Sequence, residues 1–291
     1  IGPNLFYSLA TINTFDFVFS NIAKQQYCFY LLENQSWEKA LISSWRKYHH
    51  GKLIGSSHST IRFWDLRYFF HPMSFRNSSF IKKEMPDYLT INGNASKKLL
   101  KENFYPKNKL IEVEAIRFNY LINFVSSNRK SNKRKNILLI GDIDICNTKS
   151  MLNVIANIDE PIKKNYSYIF RPHPVTNISL NKDLAFIEKS KGRSLNSDIK
   201  KSDIIIVSGS SSVAVEILIL GKKLIVFNDK RLLNLSPLSE IDEVSFVSTT
   251  YQLNKTLLNL KKKKNYVKKD IFWLDNNLKK WKNFLRFLKY D

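Results

Sequence analysis

The chain has 291 residues, 43% of them hydrophobic, and a formal net charge of +22. That length suggests two domains, and that composition supports a sizeable core and excludes global disorder. No run approaches 18 uninterrupted apolar residues, so no spanning helix is expected, and two cysteines, Cys28 and Cys146, are too few for a disulfide framework.

The excess of positive charge fits two situations. One is a polyanionic partner: a phosphate-bearing substrate, a nucleic acid or an anionic membrane face. The other is a solvated, lysine-rich surface. From Lys255 to the end there are twelve Lys and Arg against three Asp and Glu, including the run 261–264. Residue 1 is Ile, and no basic-then-apolar signal segment is visible. A reducing cytoplasmic setting is expected, with the numbering starting inside the gene product or after trimming.

Residues 1–125 carry mixed signals and predict a smaller, truncated α/β domain. "CFYLLEN" reads as a strand and "SWEKALISSWRKY" as an amphipathic helix with Ser36 as N-cap. "KLIGSSH" reads as a second strand with a polar end. The polar, basic stretch 126–136 reads as a linker.

Residues 136–270 are more regular. "NILLIGD", "SYIF", "DIIIVSGS", "KLIVF" and "VSFVS" read as strands. Helices are expected near 149–158, near 180–190 and over "SSVAVEILILG", which stops at Gly221. Short apolar runs alternating with helices predict a parallel sheet covered on both faces, a Rossmann-like half. In 271–291 a last helix places Leu278, Trp281, Leu285 and Leu288 on one face. Docking on the protein is favoured over lying on an anionic membrane.

Several constellations carry chemistry. In "YIFRPHPVTN" each proline fixes its own φ and biases its predecessor toward extended geometry. Arg171 and His173 are thereby held at the carboxyl end of a strand, the edge where open α/β sheets bind ligands. A cation and an imidazole there suit a phosphate. The competing reading is a loop staple, and His71–Pro72 is read that way. In "SGSSSVAVE" a glycine and serines 210–212 precede a helix N-terminus, which suits an anion. Ordinary capping is the bland alternative. Glu216 is the one charge from Ser211 to Leu220, and a buried carboxylate needs partners, such as a ribose hydroxyl pair. Glu33 is either a catalytic carboxylate or a helix-start acid, and His58 sits similarly after the second strand. Asp142 and Asp144 make a poor metal cage, so no metal is expected. A carboxylate there suits a sugar carbon instead, as nucleophile or electrostatic stabiliser.

"RPHP" followed by "SDIIIVSGSSSVAVEILILGKKLIVF" resembles the nucleotide-binding half of GT-B glycosyltransferases of bacterial surface polysaccharides. It is most similar to those using CMP-activated acidic sugars, the sialyltransferases and Kdo transferases. "LLENQSWEKAL", "GSSHSTIRFWDLR" and "FWLDNNLKKW" also resemble surface-carbohydrate biosynthesis proteins. The resemblance implies two Rossmann-like domains with the last helix crossing back to the first. It implies that His173–Pro174 and Ser210 to Ser212 hold the donor phosphate, with Glu216 near the nucleotide. It implies Asp142 or Asp144 as nucleophile and Glu33 as acid/base if the anomeric configuration is retained, or Glu33 as base if it is inverted. It implies metal-independent transfer from a CMP-sugar, or another nucleotide sugar, to a glycan or lipid-linked glycan acceptor; peripheral contact with an anionic membrane is an expectation of the charge instead. A CDP-glycerol-type polyol-phosphate transferase shares the Arg-Pro-His-Pro string and is the runner-up. A sugar epimerase on the same fold is a further alternative. A nucleic-acid-binding protein fits the charge but lacks a recognisable motif.

Overall fold

The structure is a computed structural model and describes residues 2–62, 64–124, 134–239, 241, 244–260 and 271–290. Most of the expected linker at 126–136, and the lysine run 261–264, lie outside the described residues. The chain forms two compact units. The first comprises Ile1–Ile61, Asp65–Asn119 and Lys268–Asp291, and the second Arg62–Trp64 and Tyr120–Val267.

The first unit runs α1 (Pro3–Asn21), β1 (Tyr27–Leu31), α2 (Ser36–Lys47), β2 (Lys52–Ser56), α3 (Ser78–Glu84), β3 (Tyr88–Ile91), α4 (Asn94–Glu102) and β4 (Leu110–Glu112). Its four strands are parallel in the order β1-β2-β3-β4. Parallel neighbours need crossover connections, which these helices supply. Leu53, Leu89 and Ile91 from the strands bury against Leu41, Ile42 and Trp45 of α2 and Leu100 of α4. α1 was not legible in the sequence because its apolar residues have no preferred face: Phe6, Tyr7 and Phe17 stay exposed, while Phe15 and Phe19 pack inward.

α2 starts at Ser36, but its N-cap is Gln35 rather than Ser36. Glu38 sets this register. Its Oε1 accepts from the amides of Glu33 at 2.8 Å and Gln35 at 2.9 Å, closing a capping box. Glu38 is buried, and that burial pushes its carboxyl above the ordinary range.

The second unit runs β5 (Lys135–Ile140), α5 (Ile145–Ala156), α6 (Glu160–Lys164), β6 (Tyr166–Arg171), β7 (Ile187–Lys189), α7 (Leu195–Lys201), β8 (Ile204–Ser208), α8 (Val213–Ile219), β9 (Lys223–Phe227), β10 (Ser245–Val247) and α9 (Thr250–Leu258). The strands are all parallel, in the order β10-β9-β8-β5-β6-β7. This is the doubly wound 3-2-1-4-5-6 arrangement, with its switch point between β5 and β8. The expected helix near 180–190 is instead a short 3₁₀ turn, Lys182–Leu184, and strand β7. Ile187 pairs with Tyr168 and joins the core, and a three-residue strand is too short to show a period.

The last helix, α10 (Lys279–Tyr290), returns to the first unit as expected and docks there. Phe284 and Leu288 bury against Ile54 and Val113, and the Tyr27 hydroxyl donates to the Leu288 carbonyl. Leu285 stays half-exposed, contrary to the expected stripe. The helix begins after Leu278, which has φ 50°, so the inward face is Trp281, Phe284 and Leu288. Glu114, itself buried, caps α10 from outside: its carboxylate accepts from the amides of Lys280 at 2.7 Å and Trp281 at 3.0 Å. Among the described residues no helix is long and apolar enough to cross a membrane.

Two outcomes follow from these caps. Glu114→Ala leaves two partly buried helix amides without acceptors and should cost roughly 1.5–3 kcal/mol, read as a lower denaturation midpoint with faster hydrogen exchange over 279–290. Glu38 has a raised carboxyl, so it favours the fold while protonated and loses that contribution as pH rises through its folded pKa. Glu38→Gln should therefore gain stability relative to the wild type as pH rises from about 4 to about 8. A constant difference across that range would contradict this.

Candidate functional site

In an open α/β sheet the crevice at the carboxyl ends of the strands flanking the switch point is the place where a ligand fits. Here those ends are Gly141–Asp142 after β5 and Ser208–Ser212 after β8, with Pro172–His173 after β6. Asp142 is 2% exposed. Its carboxylate accepts from the Ser210 amide at 3.0 Å and the Ser210 hydroxyl at 2.9 Å, and its own amide donates to Thr148 Oγ1 at 2.8 Å. Gly209 makes the turn with φ +27°, and a Cβ there would sit 3.5 Å from Asp142 Oδ2 and 3.4 Å from Asn147 Nδ2. Gly141 is pressed against the next strand end: a Cβ on it would lie 3.4 Å from the His173 amide nitrogen.

This geometry changes the reading of both aspartates. Asp142 is a clamp between two strand ends, with both oxygens engaged by Ser210. Asp144 is the exposed N-cap of α5, accepting from the Cys146 amide at 2.8 Å. Ser210 is engaged too: a hydroxyl has one hydrogen, and here it is given to Asp142. Ser211 and Ser212 differ. Ser212 precedes α8 without using its side chain as a cap, and both serines are half-buried. The Ser208 hydroxyl is fully buried and has no hydrogen-bond partner.

His173 is half-buried. Its Nδ1 accepts from the Val175 amide at 3.4 Å, and its carbonyl accepts from the Thr176 amide and hydroxyl, each at 3.0 Å. An accepting Nδ1 leaves Nε2 as the protonated nitrogen, a neutral donor. His71 repeats the local geometry, with Nδ1 accepting from the Met73 amide at 3.2 Å, and there it caps a 3₁₀ turn on the surface.

Arg171, expected to meet a phosphate, is also tied within the protein. Its Nη1 donates to Asp198 Oδ2 at 2.9 Å and to the Arg193 carbonyl at 2.8 Å. Asp198 is fully buried and needs that charge. Glu216, expected to face a ribose, accepts from the Tyr120 hydroxyl, 96 residues away in the chain. Nothing local in the sequence marks that pair. The sequence reading also missed Arg231, which grips Asp229 after β9 with bonds of 2.9 and 2.6 Å and reaches Ser150 at 3.2 Å. The guanidinium holds the Asp229 carboxyl well below the usual carboxylate range.

In the first unit, Glu33 and His58 are brought together. They follow β1 and β2, and Glu33 Oε1 lies 3.3 Å from His58 Nε2.

No family model matches this chain, and no curated protein matches it. Solved structures do. The chain is similar to UDP-GlcNAc 2-epimerase from Neisseria meningitidis bound to UDP-GlcNAc, at 15% identity, covering 100% of this chain and 84% of that one with a TM-score of 0.59. It is similar to MurG of Acinetobacter baumannii at 8% identity, covering 99% and 78%, with a TM-score of 0.55. It is also similar to the glycotransferase of kitacinnamycin at 8% identity, covering 98% and 77%, with a TM-score of 0.56. At such identities the likeness shows the fold: two parallel-sheet α/β domains of the GT-B type.

The clamp makes a discriminating variant. Asp142→Asn turns an amide NH₂ toward donors at Ser210, and should cost about 1–3 kcal/mol of stability together with any activity. A variant that keeps wild-type melting behaviour but loses turnover outright would return Asp142 to the catalytic role.

Proposed function

We propose that this protein is a glycosyltransferase that takes a sugar from a nucleotide donor held by the second unit. One observation carries the reading. The switch point of a 3-2-1-4-5-6 sheet coincides with a glycine–serine turn and a tautomer-fixed imidazole. Ser211, Ser212 and His173 Nε2 are neutral donors at strand ends, and a donor phosphate is the ligand that suits them. As the glycosidic bond breaks, negative charge grows on that phosphate. Donors already in place stabilise it more in the transition state than in the ground state.

The sequence resemblance favours a CMP-activated acidic sugar, Kdo or a nonulosonic acid, and a surface-glycan acceptor. The structures of similar fold include one bound to UDP-GlcNAc. Thermal shift with CMP, CDP, UDP and GDP separates these donors. Stabilisation by CMP or CDP supports a cytidine-activated donor, and stabilisation by UDP alone removes it. A second reading on this fold is epimerisation of a nucleotide sugar, the activity named for one of the similar structures. Deuterium from solvent appearing in recovered nucleotide sugar would establish it.

The two His-Pro dipeptides are a matched pair, since both imidazoles accept from the amide two residues on. His173→Ala should lose about 10²–10³ in turnover with little change in melting point. His71→Ala should leave turnover per folded molecule intact and lower stability. Equal activity in the two variants would reduce His173 to a staple. Phosphate charge in this scheme is met by fixed donors, so turnover is expected to survive EDTA. Loss of activity restored by Mg²⁺ or Mn²⁺ would contradict that.

A further inference from the structure

The last helix carries a second face. α10 turns Trp281, Phe284 and Leu288 inward. Away from them, Lys279, Lys282, Arg286 and Lys289 follow at spacings of three, four and three. At 3.6 residues per turn those spacings stack the four into one ridge about 15 Å long, on the side opposite the packed face. All four are exposed. Among the described residues no carboxylate pairs with any of them, whereas Lys280 of the same helix is tied to Glu112 at 2.8 Å. α10 contains no acidic residue of its own.

Like charges three and four residues apart repel, so the ridge works against the helix that carries it. Lysines present only for solubility gain nothing from such stacking. Apolar side chains stand on its shoulders. Leu285 is one helical turn beyond Trp281, and Trp281 leans on Phe29 of β1, with ring centroids 6.4 Å apart. β1 is an edge strand of the first sheet. Residues two apart in a strand share a face, so Phe29 and Leu31 lie on the side that Tyr27 turns to α10. Phe29, Leu31 and Leu285 are 44%, 55% and 50% exposed. On the other shoulder Phe287, half-exposed, rests against Tyr88 with ring centroids 5.7 Å apart, and Tyr290 stands in solvent.

We propose that this face of the first unit is a docking surface for an anionic lipid bilayer. A cationic ridge between apolar and aromatic shoulders is the composition of a helix seated at a membrane interface. The four basic side chains meet lipid phosphates, and the shoulders settle at the level of the headgroups. The packed face keeps its partners, so the helix stays folded on the protein while it binds. Two other polyanions suit the ridge less well. A nucleic acid or an acidic polysaccharide would engage the four charges and leave the apolar shoulders in water. The surface lies within the first unit, and the proposal stands whether or not the second unit transfers a sugar.

The test is co-sedimentation of the full chain with vesicles, of phosphatidylcholine alone and of phosphatidylcholine and phosphatidylglycerol in equal parts. Binding is expected to the mixed vesicles only, and to weaken as salt shortens the reach of the charges. Combining Lys279→Gln, Lys282→Gln, Arg286→Gln and Lys289→Gln leaves the packed face intact and should melt no lower than the wild type. It should lose roughly 10²–10³-fold of partition onto the mixed vesicles. A control removes the same charge from exposed positions elsewhere, by Lys82→Gln, Lys83→Gln, Lys182→Gln and Lys191→Gln, and should keep most of the binding. Leu31→Ser with Leu285→Ser should weaken binding with the charge unchanged. Indifference of the wild type to the mixed vesicles overturns the proposal. So does an equal loss in the control, which would assign the binding to net charge rather than to α10. Retention on immobilised double-stranded DNA or heparin, abolished by the four α10 substitutions while vesicles stay unbound, would give the ridge to a different polyanion and overturn it too.

Discussion

The contact on which the second unit depends is the buried carboxylate of Asp142 held by Ser210. It joins the end of β5 to the end of β8, the two strands on either side of the switch point. A carboxylate at 2% exposure is tolerable only when hydrogen-bonded. The amide and hydroxyl of one serine meet that need, with the Asp144 amide at 3.3 Å as a third donor. The geometry forces the backbone through Gly209 with positive φ, and α8 begins three residues after Ser210. Ser211 and Ser212 are therefore placed by a contact in which neither takes part.

The charged residues at this edge follow a common rule. Arg171 is paired with Asp198, Glu216 accepts from Tyr120, and Arg231 grips Asp229. The buried carboxylates Asp198, Glu216 and Asp229 are costly alone, and each has a protein partner. The groups best suited to meet a ligand are neutral: the His173 Nε2–H and two serine hydroxyls. In the proposed function these groups would meet an anion as preorganised dipoles, which need little rearrangement as charge develops. The +22 net charge belongs to a different level of description. It sets the long-range field and attracts anions, but it does not build the site.

The sequence made the second unit legible because its buried strands are uninterrupted apolar runs, such as Ile204–Val207, bounded by polar turns. Gly221, at φ +66°, was recognisable as a helix stop because glycine adopts that left-handed conformation without a Cβ clash. Strand β7 was not, since three residues carry no period. In the first unit α1 was hidden by apolar residues on every face. At the site, His173 and the serine turn stood out by composition. Their internal bookkeeping did not: that Ser210 serves Asp142, that Arg171 serves Asp198 and that Tyr120 meets Glu216 are long-range pairings that no local pattern encodes. Glu33 and His58 were each weak signals alone. Their meeting depends on parallel pairing of β1 with β2, which brings both strand ends to one edge.

Hydrogen exchange with and without saturating nucleotide tests the central claim most directly, because it locates the ligand without needing turnover. The account predicts protection confined in the second unit to the amides of Ser208–Glu216 and His173–Thr176. Protection centred instead on the groove lined by Lys149, Asn153, Asn177 and Asp183, with the serine turn unchanged, would contradict it.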